Sequence, residues 1–365
     1  MNRALLATAL CVVAATAHAQ APAGVTLYGL IDTGVERLSN IGAAGSGMWR
    51  MPSLTGSLPS RWGLRGSEDL GDGLRAVFTL EQGFAPDTGV LNQGGRAFGR
   101  QAFVGLAGPW GTITFGRQYT MLFWSLLDAD VLGPNVYGAG SLDIYIPNAR
   151  TDNAIAYRAT FEGLTVGAVY SLGRDAVNAG PSPGGTNCPG ENAADKKECR
   201  EWSALAKFDA ASWGAALAVD ELRGGPGAFA GLTSSALSDT RISLNAYVKF
   251  GATKLGAGLI RRDNEASPAP RSDLWYLGVT HPVANLVTLD AQLSRLDVNN
   301  SPNRATLVAV RGTYHLSKRT AVYATAGHIA NDGTLTLSVS AGAPGSNPPA
   351  GESQSGIMLG VRHSF

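Results

Sequence analysis

The residues with the greatest chemical reactivity are few, and they form no catalytic pattern. Beyond residue 19 the sequence has four histidines, which lie in separate segments: His281, His315, His328 and His363. No nucleotide-binding glycine motif, no GxSxG and no HExxH occurs. We therefore predict neither an enzyme nor a metal or cofactor site.

Cysteine chemistry is limited to a candidate disulfide. Cys188 and Cys199 lie in the polar stretch NCPGENAADKKECR, and the third cysteine, Cys11, lies near the N-terminus. No CxxC is present, which argues against a thiolate zinc site. In an oxidising compartment Cys188 and Cys199 would form a disulfide.

The first nineteen residues are typical of a secretion signal. Arg3 supplies a positive charge, Ala4 to Thr16 is apolar, and Ala17-His18-Ala19 fits a cleavage site. We expect residues 1–19 to be removed and residues 20–365 to form one exported domain. Lys and Arg total 29 against 28 Asp and Glu, so loss of Arg3 leaves a neutral chain. This balance argues against a nucleic-acid binder.

The elements that must position the charged residues are strands. Only 16% of residues are charged and 47 are glycine. From Arg241 to Phe250, apolar residues alternate with polar ones, which predicts a strand with one apolar and one polar face. About sixteen such segments follow one another: 25–35, 57–67, 74–84, 96–106, 111–118, 151–160, 164–172, 201–209, 213–222, 239–250, 254–263, 272–281, 287–297, 303–315, 320–330 and 354–365.

The connections between these segments alternate between short turns and long loops. An even number of antiparallel strands, with turns at one end and long loops at the other, is typical of an outer-membrane barrel. Closure into a barrel satisfies every backbone polar group in hydrocarbon. We therefore predict an all-β, 16-stranded antiparallel transmembrane barrel with short periplasmic turns and long extracellular loops.

Five sequence blocks resemble the Gram-negative general porins, particularly the betaproteobacterial ones. They are VTLYGLIDTGV (25–35), SRWGLRGSEDLGDGLRAVFTLEQGF (60–84), RQAFVGLAGPWGTITFGRQYT (100–120), NARTDNAIAYRATFEGLTVGAVY (148–170) and the terminal GVRHSF. The resemblance implies a homotrimer, one pore per subunit, and a third loop that folds into the barrel and narrows it.

That third loop corresponds to residues 119–150. The resemblance implies that acids on this loop, Asp128, Asp130 and Asp143, oppose a basic cluster on the wall. The matching wall residues are Arg61, Arg117 and Arg150.

Side-chain alternation places Arg61 and Arg150 inside the barrel. Strict alternation points Arg117 towards lipid, so we expect a bulge at Gly116 to turn it inward. Alternation also gives four further lumenal charges: Arg65, Arg158, Asp32 and Glu81.

We therefore predict an outer-membrane channel of a Gram-negative bacterium for passive diffusion of small hydrophilic solutes and ions. We predict weak anion selectivity, because Arg65 and Arg158 add to the field of the three wall arginines and an excess of one or two positive charges is enough in a narrow passage. The alternative is a substrate-specific channel of the same fold. Expected partners are outer-membrane lipid and lipopolysaccharide, and the barrel assembly machinery, for which Phe365 is the C-terminal signal.

Overall fold

The computed structural model of the protein describes residues 24–175, 187–228, 231–341 and 344–365. The predicted signal peptide, residues 1–19, lies outside the described residues. The strands are β1 (Gly24–Ile41), β2 (Ser46–Arg50), β3 (Arg61–Gly71), β4 (Leu74–Gly83), β5 (Gln101–Gly108), β6 (Gly111–Tyr119), β7 (Arg150–Thr151), β8 (Ala154–Phe161), β9 (Leu164–Ser171), β10 (Glu201–Asp209), β11 (Trp213–Arg223), β12 (Ser238–Phe250), β13 (Thr253–Asn264), β14 (Arg271–Ala284), β15 (Val287–Val298), β16 (Arg304–His315), β17 (Thr320–Asp332) and β18 (Gln354–Ser364). One helix, α1 (Met121–Leu126), and two 3₁₀ turns, Ala139–Ser141 and Ile146–Asn148, lie between β6 and β7.

The strands close into a barrel. The lower half of β1 pairs with β3, its upper half pairs with β18, and all pairings are antiparallel. β2 pairs only with the outer end of β1, and the two-residue β7 continues the line of β8 beside β6. The other sixteen strands form the wall, so the predicted 16-stranded antiparallel barrel is confirmed. Among the described residues, no helix is long and apolar enough to cross a bilayer.

Alternation along the strands separates an apolar outer face from a polar inner face. On β12, Ile242 and Leu244 are exposed on the outside, whereas Arg241, Ser243 and Asn245 are buried inside. The period of two side chains per repeat produces this division. The outer face suits a lipid environment, and the inner face can hold water or a loop.

Two predicted strand boundaries are wrong. The strand expected over 57–67 begins at Arg61, and the strand expected over 96–106 begins at Gln101. Pro52 and Pro59 lack the N–H group that a paired strand donates, which favours a loop before β3.

The loop before β3 enters the barrel instead. Leu58 donates its backbone N–H to Asp32 Oδ2 at 3.0 Å, and Arg362 Nη1 donates to Ser57 Oγ at 2.7 Å. Asn135 of the third loop donates to the Thr55 carbonyl at 2.8 Å. Residues 55–58 therefore fill the space between the third loop and the inner wall at β1 and β18.

The third loop, residues 120–149, also lies inside the barrel. Its apolar side chains, including Leu126, Leu132 and Tyr137, form one buried cluster with Ile260 and Leu307 of the wall. Burial of apolar surface at roughly 25 cal/mol per Å² holds such a loop in place. The loop thus covers the inner wall of β9–β18, and the open cavity lies against β1–β8.

A disulfide joins Cys188 and Cys199 in the long loop between β9 and β10. Both cysteines are buried with Ala228 and Leu232 of the next long loop. The bridged cysteines therefore pack their own loop against the neighbouring long loop above the same part of the wall.

We expect neither Cys188 nor Cys199 to be alkylated when the protein is denatured without reductant, because the bridge consumes both thiols. By the chain-entropy estimate, replacing both with serine should cost about 3 kcal/mol of loop stability. Mass spectrometry after alkylation counts the modified cysteines, and the reduced protein is the control. Two modified thiols in the unreduced protein would contradict the assignment.

Candidate pore constriction

Three arginines gather around Glu81 and Tyr119 beside the third loop. Arg61 starts β3, Arg100 immediately precedes β5, and Arg150 lies in β7. Arg100 Nε lies 2.7 Å from Glu81 Oε1, and Arg61 Nε lies 3.5 Å from Glu81 Oε2. We call Arg61, Arg100 and Arg150 the arginine cluster.

Tyr119 connects the arginine cluster to the base of the third loop. Its hydroxyl oxygen accepts hydrogen bonds from Arg100 Nη2 at 2.5 Å and from Arg150 Nη2 at 2.8 Å. The guanidinium carbon of Arg150 lies 4.4 Å from the Tyr119 ring centroid, a cation–π distance. Within the described residues, Arg61 and Arg100 share Glu81 and no carboxylate pairs with Arg150, so the cluster has a local excess of two positive charges. Arg100 and Arg150 are only 5% and 6% exposed, so their charges act on the passage at a distance.

Alternation along the sequence does not reveal Arg100 as a member of the cluster. The predicted strand over 96–106 would give residue 100 the outward parity of Ala102 and Val104. Because β5 begins only at Gln101, alternation does not apply to Arg100, and its side chain turns into the cluster. The signal in the sequence is its position at the start of the porin-like block RQAFVGL.

Arg117 lies apart from the cluster, and the predicted bulge at Gly116 is wrong. β5 and β6 stay in register through Phe103–Gly116 and Ala102–Arg117. The extra residue lies in the facing chain, where three residues between Thr151 and Ile155 oppose two of β6. Arg117 pairs with Asp152 Oδ1 at 2.6 Å and donates to the Gly99 carbonyl at 2.7 Å.

Arg65 and Arg158 face the cavity on the short-turn side of the cluster. No ion pair within the described ranges joins either of them to a carboxylate. Their guanidinium carbons lie over aromatic rings instead: Arg65 is 5.2 Å from Tyr28 and Arg158 is 4.2 Å from Trp124.

Asp32 lies on the inner wall of β1, where Tyr323 donates to it at 2.5 Å and the loop before β3 covers it. It is 1% exposed and each of its carboxylate oxygens accepts one of these hydrogen bonds, so no ion in the open cavity contacts it. At the end of the chain, Phe365 exchanges two backbone hydrogen bonds with Gly29, which ties the terminus to β1.

The three loop acids all lie away from the arginine cluster. Asp128 forms an ion pair with Lys207 of β10, and Asp143 pairs with Arg241 of β12 at 2.8 Å. Asp130 is 3% exposed. The expected opposition of these acids to the cluster is therefore wrong: Asp130 and Asp143 lie between the loop and the wall behind it, and Asp128, whose side chain is 46% exposed, is paired with Lys207 of that wall.

The two fully buried loop carboxyls differ in their electrostatic environment. Burial raises the pKa of Asp143, but Arg241 and Arg262 overcome that effect and hold the pKa below its usual value. Burial raises the pKa of Asp130 to about 6, and the nearby Gln292 and Arg311 offset only part of this effect. Among the described residues, neither oxygen of Asp130 has a hydrogen-bond partner.

A tyrosine fastens the returning end of the third loop to the wall. The Tyr145 hydroxyl lies 2.9 Å from Glu201 and 2.7 Å from Asp220, and both carboxyls are buried. The Arg241 guanidinium carbon lies 4.4 Å from the Tyr145 ring centroid. Within the described part of the chain, no group of three His, Cys, Asp or Glu residues is placed to hold a metal ion.

Comparison with known proteins points to one family. A family model described as Gram-negative porin matches residues 6–334. The chain is similar to outer membrane porin protein 32 of Delftia acidovorans, with 30% identity over 100% of both chains.

Two solved structures share the fold. An anion-selective porin from Comamonas acidovorans has a TM-score of 0.73 and 24% identity, covering 94% of this chain and 100% of that one. OmpT of Vibrio cholerae, described as a trimer form, has a TM-score of 0.63 and 16% identity, covering 94% of this chain and 99% of that one.

We expect Asp130→Asn to stabilise the protein at pH 7.5. The folded-state pKa lies above the ordinary value, so docking of the loop is strongest when this carboxyl is neutral, below about pH 4, and weakens as pH rises through about 6. Asparagine keeps the neutral state at every pH, with a gain of roughly 2 kcal/mol at pH 7.5.

Thermal unfolding of the parent and the variant at pH 5 and pH 7.5 tests this. The variant should show a smaller loss of stability between the two pH values than the parent. A variant that is less stable at pH 7.5, or that shows the parent's pH dependence, would contradict the assignment.

Proposed function

This chain belongs to the Gram-negative porin family, and we propose that its pore prefers anions. As a porin it is an outer-membrane channel, through which small hydrophilic solutes diffuse passively. The observation that supports anion preference is the arginine cluster, which faces only Glu81 while all three loop acids are paired or buried behind the loop.

The mechanism needs no reaction and consumes nothing. The third loop and residues 55–58 occupy one side of the lumen and leave a passage along β1–β8, which sets the size limit for solutes. Charges in a narrow passage with low-dielectric walls act strongly on a passing ion. Arg61, Arg100 and Arg150 therefore raise the local concentration of anions and exclude small cations.

Export, barrel assembly and oligomeric state are also part of the proposed function. Residues 1–19 direct export and are removed, and Phe365 acts as the signal for the barrel assembly machinery. The mature chain forms a homotrimer in a bilayer of lipid and lipopolysaccharide. It has no catalytic role, no cofactor and no nucleic-acid partner. A substrate-specific channel of the same fold is the alternative.

We expect the purified channel to pass chloride in preference to potassium, and Arg100→Gln or Arg150→Gln to reduce that preference. At about 8 Å in water a unit charge is worth about 0.5 kcal/mol to an ion, and its removal disfavours chloride and favours potassium by that amount, so each loss should lower the chloride-to-potassium permeability ratio roughly fivefold. The zero-current potential across a planar bilayer with a KCl gradient measures this ratio.

Arg319→Gln, in the exposed turn between β16 and β17, is the matched control and should leave the potential unchanged. The effect should weaken as salt rises, since the Debye length falls from about 10 Å at 0.1 M to about 3 Å at 1 M. A parent channel that prefers potassium would disprove anion selectivity.

We also expect a detergent-stable trimer. The outer face of β1 and β15–β18 has an apolar groove with small residues at its base, including Gly34, Ala324 and Gly360. A close neighbour packs well on such a surface. Ala324→Trp should fill the groove and weaken the trimer, whereas Ala257→Trp on the outer face of β13 should not.

Analytical ultracentrifugation in detergent measures the oligomeric state of the parent and both variants. A parent protein that sediments only as a monomer would overturn the trimer. Equal trimer stability in the two variants would move the interface away from the groove.

A further inference from the structure

A cavity of about 660 Å³ lies in the lumen on the short-turn side of the arginine cluster. Its wall includes Tyr28, Arg65, Phe103, Tyr119, Trp124 and Arg158. We propose that this cavity is a binding site for aromatic carboxylates that pass through the pore. The inference rests on the proposed anion-selective function and names the class of solute.

Two arginines of this cavity supply the charges that would bind a carboxylate. Arg65 and Arg158 are exposed to the lumen, and within the described ranges neither forms an ion pair. Arg241 and Arg262 of the far wall, in contrast, are both paired with Asp239. A guanidinium that lies on an aromatic face keeps the N–H groups at its edge free, and these match the two oxygens of a carboxylate.

An aromatic wall lies beside those donors. Trp124 meets Tyr119 edge to face, with ring centroids 5.8 Å apart, and Phe103 lines the same cavity. Aromatic rings prefer such edge-to-face or offset contacts with another ring. A solute with a ring next to its carboxylate can therefore contact the rings while its charge meets Arg158.

The ring nearest to Arg158 is held in place before a solute arrives. Trp124 lies on α1, and Met121 of the same helix packs so closely on β9 that a Cβ at Gly167 would lie 2.5 Å from the Met121 sulfur. Ser125, the next residue, hydrogen-bonds with Ser243 of β12 at 2.9 Å. A rigid site loses less entropy on binding.

Among the described residues that line the cavity, Glu81 is the only carboxylate, and it is already engaged. Glu81 accepts hydrogen bonds from Arg100 at 2.7 Å and from Tyr28 at 3.0 Å, and it also faces Arg61. Its charge therefore does not repel an anion from the cavity. The cavity volume lies within the 300–1,000 Å³ of ordinary small-molecule sites, which suits a single-ring solute.

Block of ion current by sodium benzoate tests the proposal. The trimeric protein is inserted in a planar bilayer at 0.1 M KCl, and benzoate is added on the short-turn side. We expect saturable block, with a half-blocking concentration at least fivefold lower than for acetate or cyclohexanecarboxylate. Neutral benzamide should not block.

Variants separate the two parts of the site. Arg158→Gln should raise the half-blocking concentration of benzoate about tenfold, and Trp124→Leu should remove the preference for benzoate over cyclohexanecarboxylate. Arg65→Gln should also weaken block, without altering any contact of α1. Lys249→Gln removes a lumenal charge at the same end of the barrel outside this cavity and should have no effect.

The outcomes distinguish this inference from the proposed function. A channel that prefers chloride but is blocked equally by acetate and benzoate would overturn the aromatic site alone. Unchanged block in both Arg158→Gln and Arg65→Gln would do the same. A channel that prefers potassium would overturn the proposed anion selectivity itself.

Discussion

The ion pair between Asp143 of the third loop and Arg241 of β12 fixes which side of the lumen is open. Arg241 is 2% exposed and the Asp143 side chain is 12% exposed, and breaking a pair with so little access to water leaves an uncompensated charge, which costs about 3–5 kcal/mol. Together with the apolar cluster around Tyr137, the pair holds the loop against β12–β18. The passage is therefore left along β1–β8, where the arginines lie.

The electrostatics of the pore follow from the same anchoring. The pair with Arg241 removes Asp143 from the passage, and the pair with Lys207 neutralises Asp128, whose side chain is 46% exposed. A wall cluster of Arg61, Arg100 and Arg150 then faces Glu81 alone. Loop packing and ion preference are thus two consequences of one arrangement, and a change that releases the loop should alter both.

Much of the fold was predictable because a strand buries alternate residues. Alternation and connection length indicated the wall strands and the faces of Arg61, Arg65 and Arg158. The failures occur where alternation stops. Arg100 precedes the first paired residue of β5, and Arg117 pairs with Asp152 of the facing chain, where the extra residue lies.

The destinations of the loop acids could not be read from the sequence. Asp143 and Arg241 are 98 residues apart, and Asp128 and Lys207 are 79 apart, so no local pattern connects either pair. The inward course of residues 55–58 likewise depends on distant partners such as Arg362 and Asn135. Prolines indicated a break in the strand but not the direction that the chain takes.

The central claim is that anions, and not cations, occupy the narrowing. Anomalous X-ray scattering from crystals soaked in sodium bromide, and separately in rubidium chloride, locates both kinds of ion directly. Bromide should appear within hydrogen-bonding reach of Arg150 or Arg61, and no rubidium should lie between the arginine cluster and the third loop. Rubidium at that position with no bromide would contradict the account.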